Sequence, residues 1–402
     1  MNARPFLLAL LVLVAGCGQK PQEEPPIRFS VPEAEIPPEG GAVDVMVFSG
    51  PEWRITATSG DWLTAKQKNT AYLTLIAPLN DSGRTRTGSV QVTCGAQSAE
   101  LTVVQDYDAD ATVASKAEFI AHIAASCDFI TKVTNSSFTD LDKGCTAYRI
   151  TTTGPVNGTE SPLALFLFVV DLSSGLSLAA TCVDDNPANI TLTDATKAQR
   201  QTIREQLAAL QGKRPGLRVL GGVNGDFYLI DRNNLLHGVF HRNGVCVKDT
   251  FDGGAACNVF ALMQDGTARV LSQAQYPAAK NSIAEAVGGR QVVLRAGVTV
   301  SSDTKLDPRT VAGVSMDGKT VYILSVDGSR KNWSVGASYP MLAAIMRAAG
   351  AYDAVNLDGG GSTTFVVHPD DNTSVSSFTT WNKPSDGSDR AVVNGLAIVR
   401  PR

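Results

Sequence analysis

Hydrophobic and polar positions alternate along the first quarter of the chain. Val43, Val45 and Val47 stand at every second residue, the spacing of a strand with one buried face. Similar short runs follow at 53–57, 72–77, 90–93 and 101–104. Short strands at regular spacing, separated by turn residues, predict a β-sandwich over 28–106. A polar joint at 106–112 comes next. Ser115 and Glu118 then read as a capping box for a helix that carries Phe119, Ile120 and Ile123 and stops near Cys127. Residues 154–158 read as a loop, and 163–170 as a continuous apolar run of strand length. Thr193-Asp194 opens a second helix, with Ile203, Leu207 and Leu210 on one side and Gly212 as its stop.

From Leu217 the pattern changes. A buried strand at 217–220 runs into Gly221-Gly222-Val223-Asn224-Gly225-Asp226-Phe227. Asn243-Gly244, Asp265-Gly266 and Asp317-Gly318 each lie between two apolar runs, the strongest short hairpin signal. Ser338 caps a third helix, with Pro340 in its first turn, Leu342, Ile345 and Met346 on one face, and Gly350 as the stop. That helix leads into an apolar run that ends at Asp358-Gly359-Gly360-Gly361-Ser362-Thr363-Thr364. A last strand covers 392–399. The expected fold class is α+β: a mixed, largely antiparallel sheet domain over 107–402, preceded by an immunoglobulin-like β-sandwich.

Charge and cysteine content narrow the class. The net charge is −4, and no run of Lys or Arg offers contacts to a nucleic-acid backbone. Arg4 precedes an apolar run at 6–14 that is too short for a membrane span. Val14-Ala15-Gly16-Cys17 resembles a bacterial lipobox. The resemblance implies a signal peptide at 1–17, lipidation of Cys17, a polar tether at 18–27 and an outer-membrane lipoprotein of the cell envelope. Seven cysteines less Cys17 leave six: Cys94, Cys127, Cys145, Cys182, Cys246 and Cys257. Export would place them where disulfides form, in a pairing that sequence does not choose; buried free thiols are the alternative. No zinc or EF-hand spacing is present, so no cofactor is expected; a structural Ca²⁺ in the acid-rich loops is the unsupported alternative.

Several polar groups interrupt apolar strands beside glycine, a costly placement unless they are paired or face a cleft. They are Asn224, Asp226, Arg309, Thr310, Asp327, Asp358, Arg390 and Asn394. The glycines after Asp358 let backbone N–H groups approach a ligand. Each residue also has a structural reading. The arginines can form ion pairs, the aspartates cap turns, and the asparagines bond to backbone.

Segments 221–227, 307–313, 326–328, 356–364 and 390–396, in this order and with the helix at 342–350, resemble the phosphodiester glycosidase family. The likeness covers 217–399. It departs at Asp327-Gly328-Ser329-Arg330, where Asp-Gly-Arg is common, and at Gly225-Asp226-Phe227. Gly40-Gly41, Trp53 with Trp62-Leu63, Asn80 with Arg84-Thr85-Arg86, and Val103-Val104-Gln105 resemble the BACON domain, which is associated with carbohydrate binding. The first resemblance implies hydrolysis of the sugar–phosphate bond of a glycosyl phosphodiester, of α-N-acetylglucosaminyl type, or of a related glycan. Asp358, Asp327 and Asp226 are then the catalytic candidates, since an oxocarbenium-like transition state wants a nearby carboxylate. Arg309 and Arg390 would hold phosphate through their planar forks. Asn224, Thr310, Gly359, Gly360, Ser362, Thr363 and Asn394 would bind the remaining polar groups. The competing expectation is a non-catalytic carbohydrate-binding surface lipoprotein.

Overall fold

Alternating burial builds two four-stranded sheets from the first part of the chain. One holds Arg28–Phe29, Gly41–Phe48, Tyr72–Ala77 and Thr64–Gln67. The other holds Glu33–Ile36, Gln97–Gln105, Arg86–Cys94 and Arg54–Ser59. Their inner faces meet in one core around Trp53, Leu73, Leu75, Val90, Val92, Leu101 and Val103. Trp53 is 2% exposed and donates its ring N–H to the Thr70 carbonyl at 2.7 Å. The Arg86 guanidinium covers the Trp62 ring at 4.5 Å. Both rings therefore serve packing rather than an open sugar-stacking surface.

The computed structural model describes residues 26–402, except 51, 81–84, 108, 192–196 and 371. The signal peptide, Cys17, most of the tether, Arg84, Thr193 and Asp194 lie outside the described residues. The chain divides into two units, Met1–Ala109 and Asp110–Arg402.

Three large antiparallel sheets and a two-stranded ribbon of Tyr228–Leu229 and Leu235–Leu236 build the second unit among the described residues, which gives the α+β, largely antiparallel class. The largest runs Val298–Thr299, Val292–Arg295, Asp353–Asn356, Arg309–Val314, Thr320–Val326, Thr159–Asp171, Cys145–Val156, Lys132–Asp142. A second runs Ser177–Cys182, Asn394–Pro401, Leu217–Asn224, Phe365–Val367, Thr379–Thr380. The third runs Val245–Lys248, Phe240–Arg242, Ile283–Gly289, Asn258–Met263, Ala268–Ser272. The strand at Thr159–Asp171 is apolar throughout because both its faces are covered. Leu163, Leu165 and Leu167 join a core under the helix Tyr339–Ala349, whereas Ala164, Phe166 and Phe168 face the other two sheets. Phe168 stacks on Phe365 at 3.9 Å and 15°. Burying a ring of that size is worth about 2–3 kcal/mol, and here it anchors the end of the glycine loop.

Four expectations need correction. The first helix spans Ala109–Ala125, so Ser115 and Glu118 lie inside it and 109–112 is no joint. Residue 154 is in the strand Cys145–Val156, and only Asn157-Gly158 turns. A Cβ on Gly154 would come within 2.2 Å of the Phe129 carbonyl, so that glycine serves a close approach. The second helix is Ile203–Lys213, started by a capping box of Thr202 and Glu205 rather than at Thr193. No disulfide links the six described cysteines to one another; five are buried or partly buried and Cys246 is exposed. The three hairpins and the helix capped by Ser338 and stopped at Gly350 stand where the pattern put them. Among the described residues no helix is long and apolar enough to cross a membrane.

Candidate active site

Asn224 ends its strand with a side chain that ties three segments together. Its Nδ2 donates to the Asp358 carbonyl at 2.7 Å, and its Oδ1 accepts from the Thr310 hydroxyl at 2.7 Å and the Thr364 N–H at 3.1 Å. The Asp358 N–H donates to the Gly225 carbonyl at 2.9 Å. Asn224 is fully buried, so breaking any of these bonds would strand a polar group out of water. Asn224 and Thr310 thus fix the loop at 358–364 against strand ends from two sheets.

Asp226 follows on the same strand end. Its N–H donates to Asn394 Oδ1 at 2.8 Å, and its Oδ2 accepts from the Gly238 N–H at 2.7 Å. Its Oδ1 is buried without a partner. The carboxyl lies flat on Gly288, where an added Cβ would fall 2.3 Å from Oδ2. Burial pushes Asp226 up to about 7, against the Gly238 bond and the Lys248 ammonium, and the Asp358 charge pushes it further. Asp358 itself keeps some exposure. Its Oδ1 accepts from the Gly359 N–H at 2.8 Å. Burial of its carboxyl pushes it up to about 6, while the Ser362 hydroxyl, the Gly359 N–H, Arg390 and Arg290 pull it down. Two coupled carboxyls poised near neutrality are suited to proton transfer.

The other candidates divide. Arg390 lies beside the loop and forks onto Asp386 at 2.7 and 3.0 Å. Its Nη2 would lie 2.0 Å from a Cβ on Gly361, so the guanidinium packs directly on that glycine. Asn394 is fully buried and keeps Nδ2 without a partner. The Ser362 and Thr363 hydroxyls are buried beside the loop without a well-formed hydrogen bond. The loop amides, by contrast, are largely used internally. Gly359 N–H bonds to Asp358, Gly360 N–H to Pro308, Ser362 N–H to Gly359 and Thr363 N–H to Gly360. The glycines therefore shape the loop more than they offer an amide nest.

Arg309 and Asp327 do not face the cleft in the expected way. Successive strand residues point to opposite faces, so Thr310 and Arg309 cannot both face Asn224. Thr310 does. Arg309 lies on the face of the helix Tyr339–Ala349, 4.5 Å over the Tyr339 ring and 3.4 Å from Asp307. Asp327 is 1% exposed and saturated: Oδ2 accepts from Trp333 Nε1 at 2.7 Å and the Lys383 N–H at 2.8 Å, and Oδ1 from Asn382 Nδ2 at 2.9 Å. Asn382 Nδ2 also donates to the Thr363 carbonyl at 3.0 Å, which makes Asp327 a support of the loop.

Sequence reasoning passed over Arg290, and gave His237 and Phe227 no role in the site. Arg290 follows Gly288-Gly289 at a strand end, a polar residue beside glycine as Asn224 is. His237 stacks on Phe227 at 5.6 Å. Burial, Arg290 and Lys248 hold it below the usual histidine range. Among the described residues no group of three or more His, Cys, Asp or Glu could hold a metal ion. Buried unpartnered polar atoms gather here: Asp226 Oδ1, His237 Nδ1, Arg290 Nε, Asn356 Oδ1, Thr363 Oγ1 and Asn394 Nδ2. Folded proteins pair nearly all such atoms, so their concentration marks where a ligand's polar groups belong.

Among solved structures the chain is similar to the zebrafish N-acetylglucosamine-1-phosphodiester alpha-N-acetylglucosaminidase catalytic domain auto-inhibited by its pro-peptide. The identity is 18% and the TM-score 0.49, over 68% of this chain and 92% of that one. It is also similar to a hypothetical protein from Synechocystis, with 11% identity and a TM-score of 0.44, over 94% of this chain and 80% of that one. No curated protein matches the chain. Residues 218–399, which hold Asn224, Asp226, Asp358 and Asn394, match the phosphodiester glycosidase family model.

Proposed function

We propose that the protein is an exported, lipid-anchored glycosidase that hydrolyses the sugar–phosphate bond of a glycosyl phosphodiester, of α-N-acetylglucosaminyl type, or of a related glycan. The observation that carries this reading is the coupled pair Asp226 and Asp358, set among unpartnered donors within the segment that matches the family. The bond from the anomeric carbon to the phosphate oxygen breaks, and water supplies the hydroxyl of the sugar and the proton of the phosphate monoester. Asp358, the more exposed of the two and drawn down by the Gly359 N–H, Arg390 and Arg290, carries the negative charge that stabilises the positive anomeric carbon. Asp226 keeps a larger protonated fraction and delivers a proton to the departing oxygen. Asn394 Nδ2 and the Ser362 and Thr363 hydroxyls bond to the sugar. Asn224 and Thr310 position the loop. The first unit is a BACON-like spacer between the lipidated Cys17 and this domain.

The deciding test is a hydrolysis screen of the purified protein on glycosyl phosphodiesters and aryl glycosides. Release of free sugar that is lost in Asp358→Asn supports the enzyme. Saturable sugar binding without turnover would favour the carbohydrate-binding reading instead.

Two further outcomes are expected. Gly288→Ala should lower turnover by about 100-fold, because displacing a reacting group by about 1 Å has that effect. The backbone at Gly288 is outside the left-handed region, so alanine is tolerated there in conformation, and the nearest atoms to the added Cβ are those of the Asp226 carboxyl. A near-normal rate in a variant whose melting is unchanged would show that the Asp226 position is not critical. Cys17→Ala should release the protein from membranes. If the variant still sediments with them after a salt wash, the anchor is not at Cys17.

A further inference from the structure

The reading as a phosphodiester hydrolase needs a cation for the phosphate, and the arginines chosen from sequence are committed elsewhere. Arg309 faces the Tyr339 side of its sheet and contacts the Ala337 and Lys305 carbonyls. Arg390 has spent its Nε and Nη2 on Asp386. The structure assigns the phosphate instead to Arg290, and this assignment rests on that functional reading.

Arg290 is held by its backbone and left open at its head. Its N–H donates to the Asn356 carbonyl at 2.8 Å, and its carbonyl accepts from Asn258 Nδ2 at 2.6 Å. The first bond ties it to the strand that runs into Asp358. Its guanidinium lies 5.4 Å over the Phe227 ring. No hydrogen bond links that guanidinium to a described residue, and its Nε is buried without a partner. A buried unpaired donor is costly, so a ligand that completes it gains the full value of the bond. Phe227 supports the cation from one face and leaves the in-plane donors free, the geometry that takes two oxygens of a phosphate side by side. Arg290 also acts electrostatically on both Asp358 and His237, in keeping with its backbone tie to Asn356, two residues before Asp358. It pulls Asp358 down through charge alone, without a hydrogen bond between them. An anion bound to Arg290 would then lie within reach of the Asp358 carboxyl. A phosphodiester carries one negative charge, and one open guanidinium matches it.

The test uses the full chain and methyl phosphate as probe. Isothermal titration of wild type, Arg290→Gln, Arg290→Lys and Arg309→Gln gives the affinities, with melting curves to confirm that each variant folds. Arg290→Gln should weaken methyl phosphate by about 10- to 100-fold, the value of a hydrogen-bonded charge. Arg290→Lys should recover part of the loss, because it restores charge without the fork. Arg309→Gln should bind as wild type does. In kinetics, Arg290→Gln should raise KM for a glycosyl phosphodiester and leave KM for an aryl glycoside unchanged. Wild-type affinity in Arg290→Gln, or loss in Arg309→Gln instead, overturns the assignment. So does wild type that binds no methyl phosphate at millimolar concentration while the diester KM is unmoved in Arg290→Gln. If wild type binds methyl phosphate through Arg290 yet hydrolyses no sugar phosphodiester, the anion site stands and the hydrolase reading fails.

Discussion

Asp358→Asn should lower turnover on the natural substrate by on the order of 1,000-fold while leaving the fold in place, the loss typical when a preorganised charge at the transition state is removed. The substitution is nearly isosteric, and its remaining Oδ1 can still accept from the Gly359 N–H, now at 2.8 Å. The backbone bonds that seat the residue, to Gly225 and from Asn224, do not involve the carboxyl. What disappears is a negative charge that burial already disfavours, since the carboxyl is pushed up to about 6. Folding therefore loses little, and the transition state loses the group that offsets charge on the anomeric carbon. The expected kinetic signature is a fall in kcat and in kcat/KM by similar factors, with little change in substrate affinity. Stopped assays with matched melting curves would check it. A variant with normal kcat would remove Asp358 from the chemistry and leave the cleft as a binding site.

Much of the frame was legible because its signals are local. The helix at Tyr339–Ala349 carries its own cap, first-turn proline and terminal glycine, so no distant contact had to be guessed. The same holds for the three hairpins. The convergence of Asn224, Asp226, Asp358 and Asn394 was legible in kind, as polar residues placed at strand ends beside glycine. What sequence did not carry was direction. Arg309 and Thr310 are neighbours on one strand, and the period of two forbids both from facing the cleft. Which one turned inward depended on the packing of Val311 under the helix and Ala312 toward the other sheets. Asp327 looked like Asp358 in sequence, but its partners Trp333, Asn382 and Lys383 come from loops that no periodicity ties to it. Arg290 escaped notice because it ends a strand with weak patterning, although Gly288-Gly289 before it was a usable sign. The capping box at Thr202 is also legible in sequence, as Thr202 followed three residues later by Glu205.

The second large effect concerns Asp226, where activity and stability should move in opposite directions. If Asp358 must be ionised and Asp226 protonated, kcat/KM rises with pH through about 6 and falls through about 7, giving a narrow bell. Because the groups are coupled, these limbs belong to the pair. Asp226→Asn should abolish the alkaline limb and slow substrates with poor leaving groups by on the order of 100-fold or more. Aryl glycosides with strongly acidic leaving groups should be spared, since they need no proton. Stability should respond the other way. A carboxyl held at about 7 in the folded protein, against 3.8 when free, keeps a proton that the unfolded chain releases. Its favourable contribution is complete below the free value, is lost as pH climbs, and is gone above about 7. The span corresponds to on the order of 4 kcal/mol, an upper figure because the substituted amide must also be accommodated. Asn carries no charge at any pH, and its Oδ1 can take the Gly238 N–H that now meets Oδ2 at 2.7 Å. Urea unfolding at pH 4 and pH 8.5 should therefore show wild type losing stability at the higher pH and Asp226→Asn losing less. The variant would be the more stable protein in alkaline solution and the poorer enzyme. Parallel pH dependence in the two proteins would mean that Asp226 ionises at an ordinary value, and its role as proton donor would fall with it.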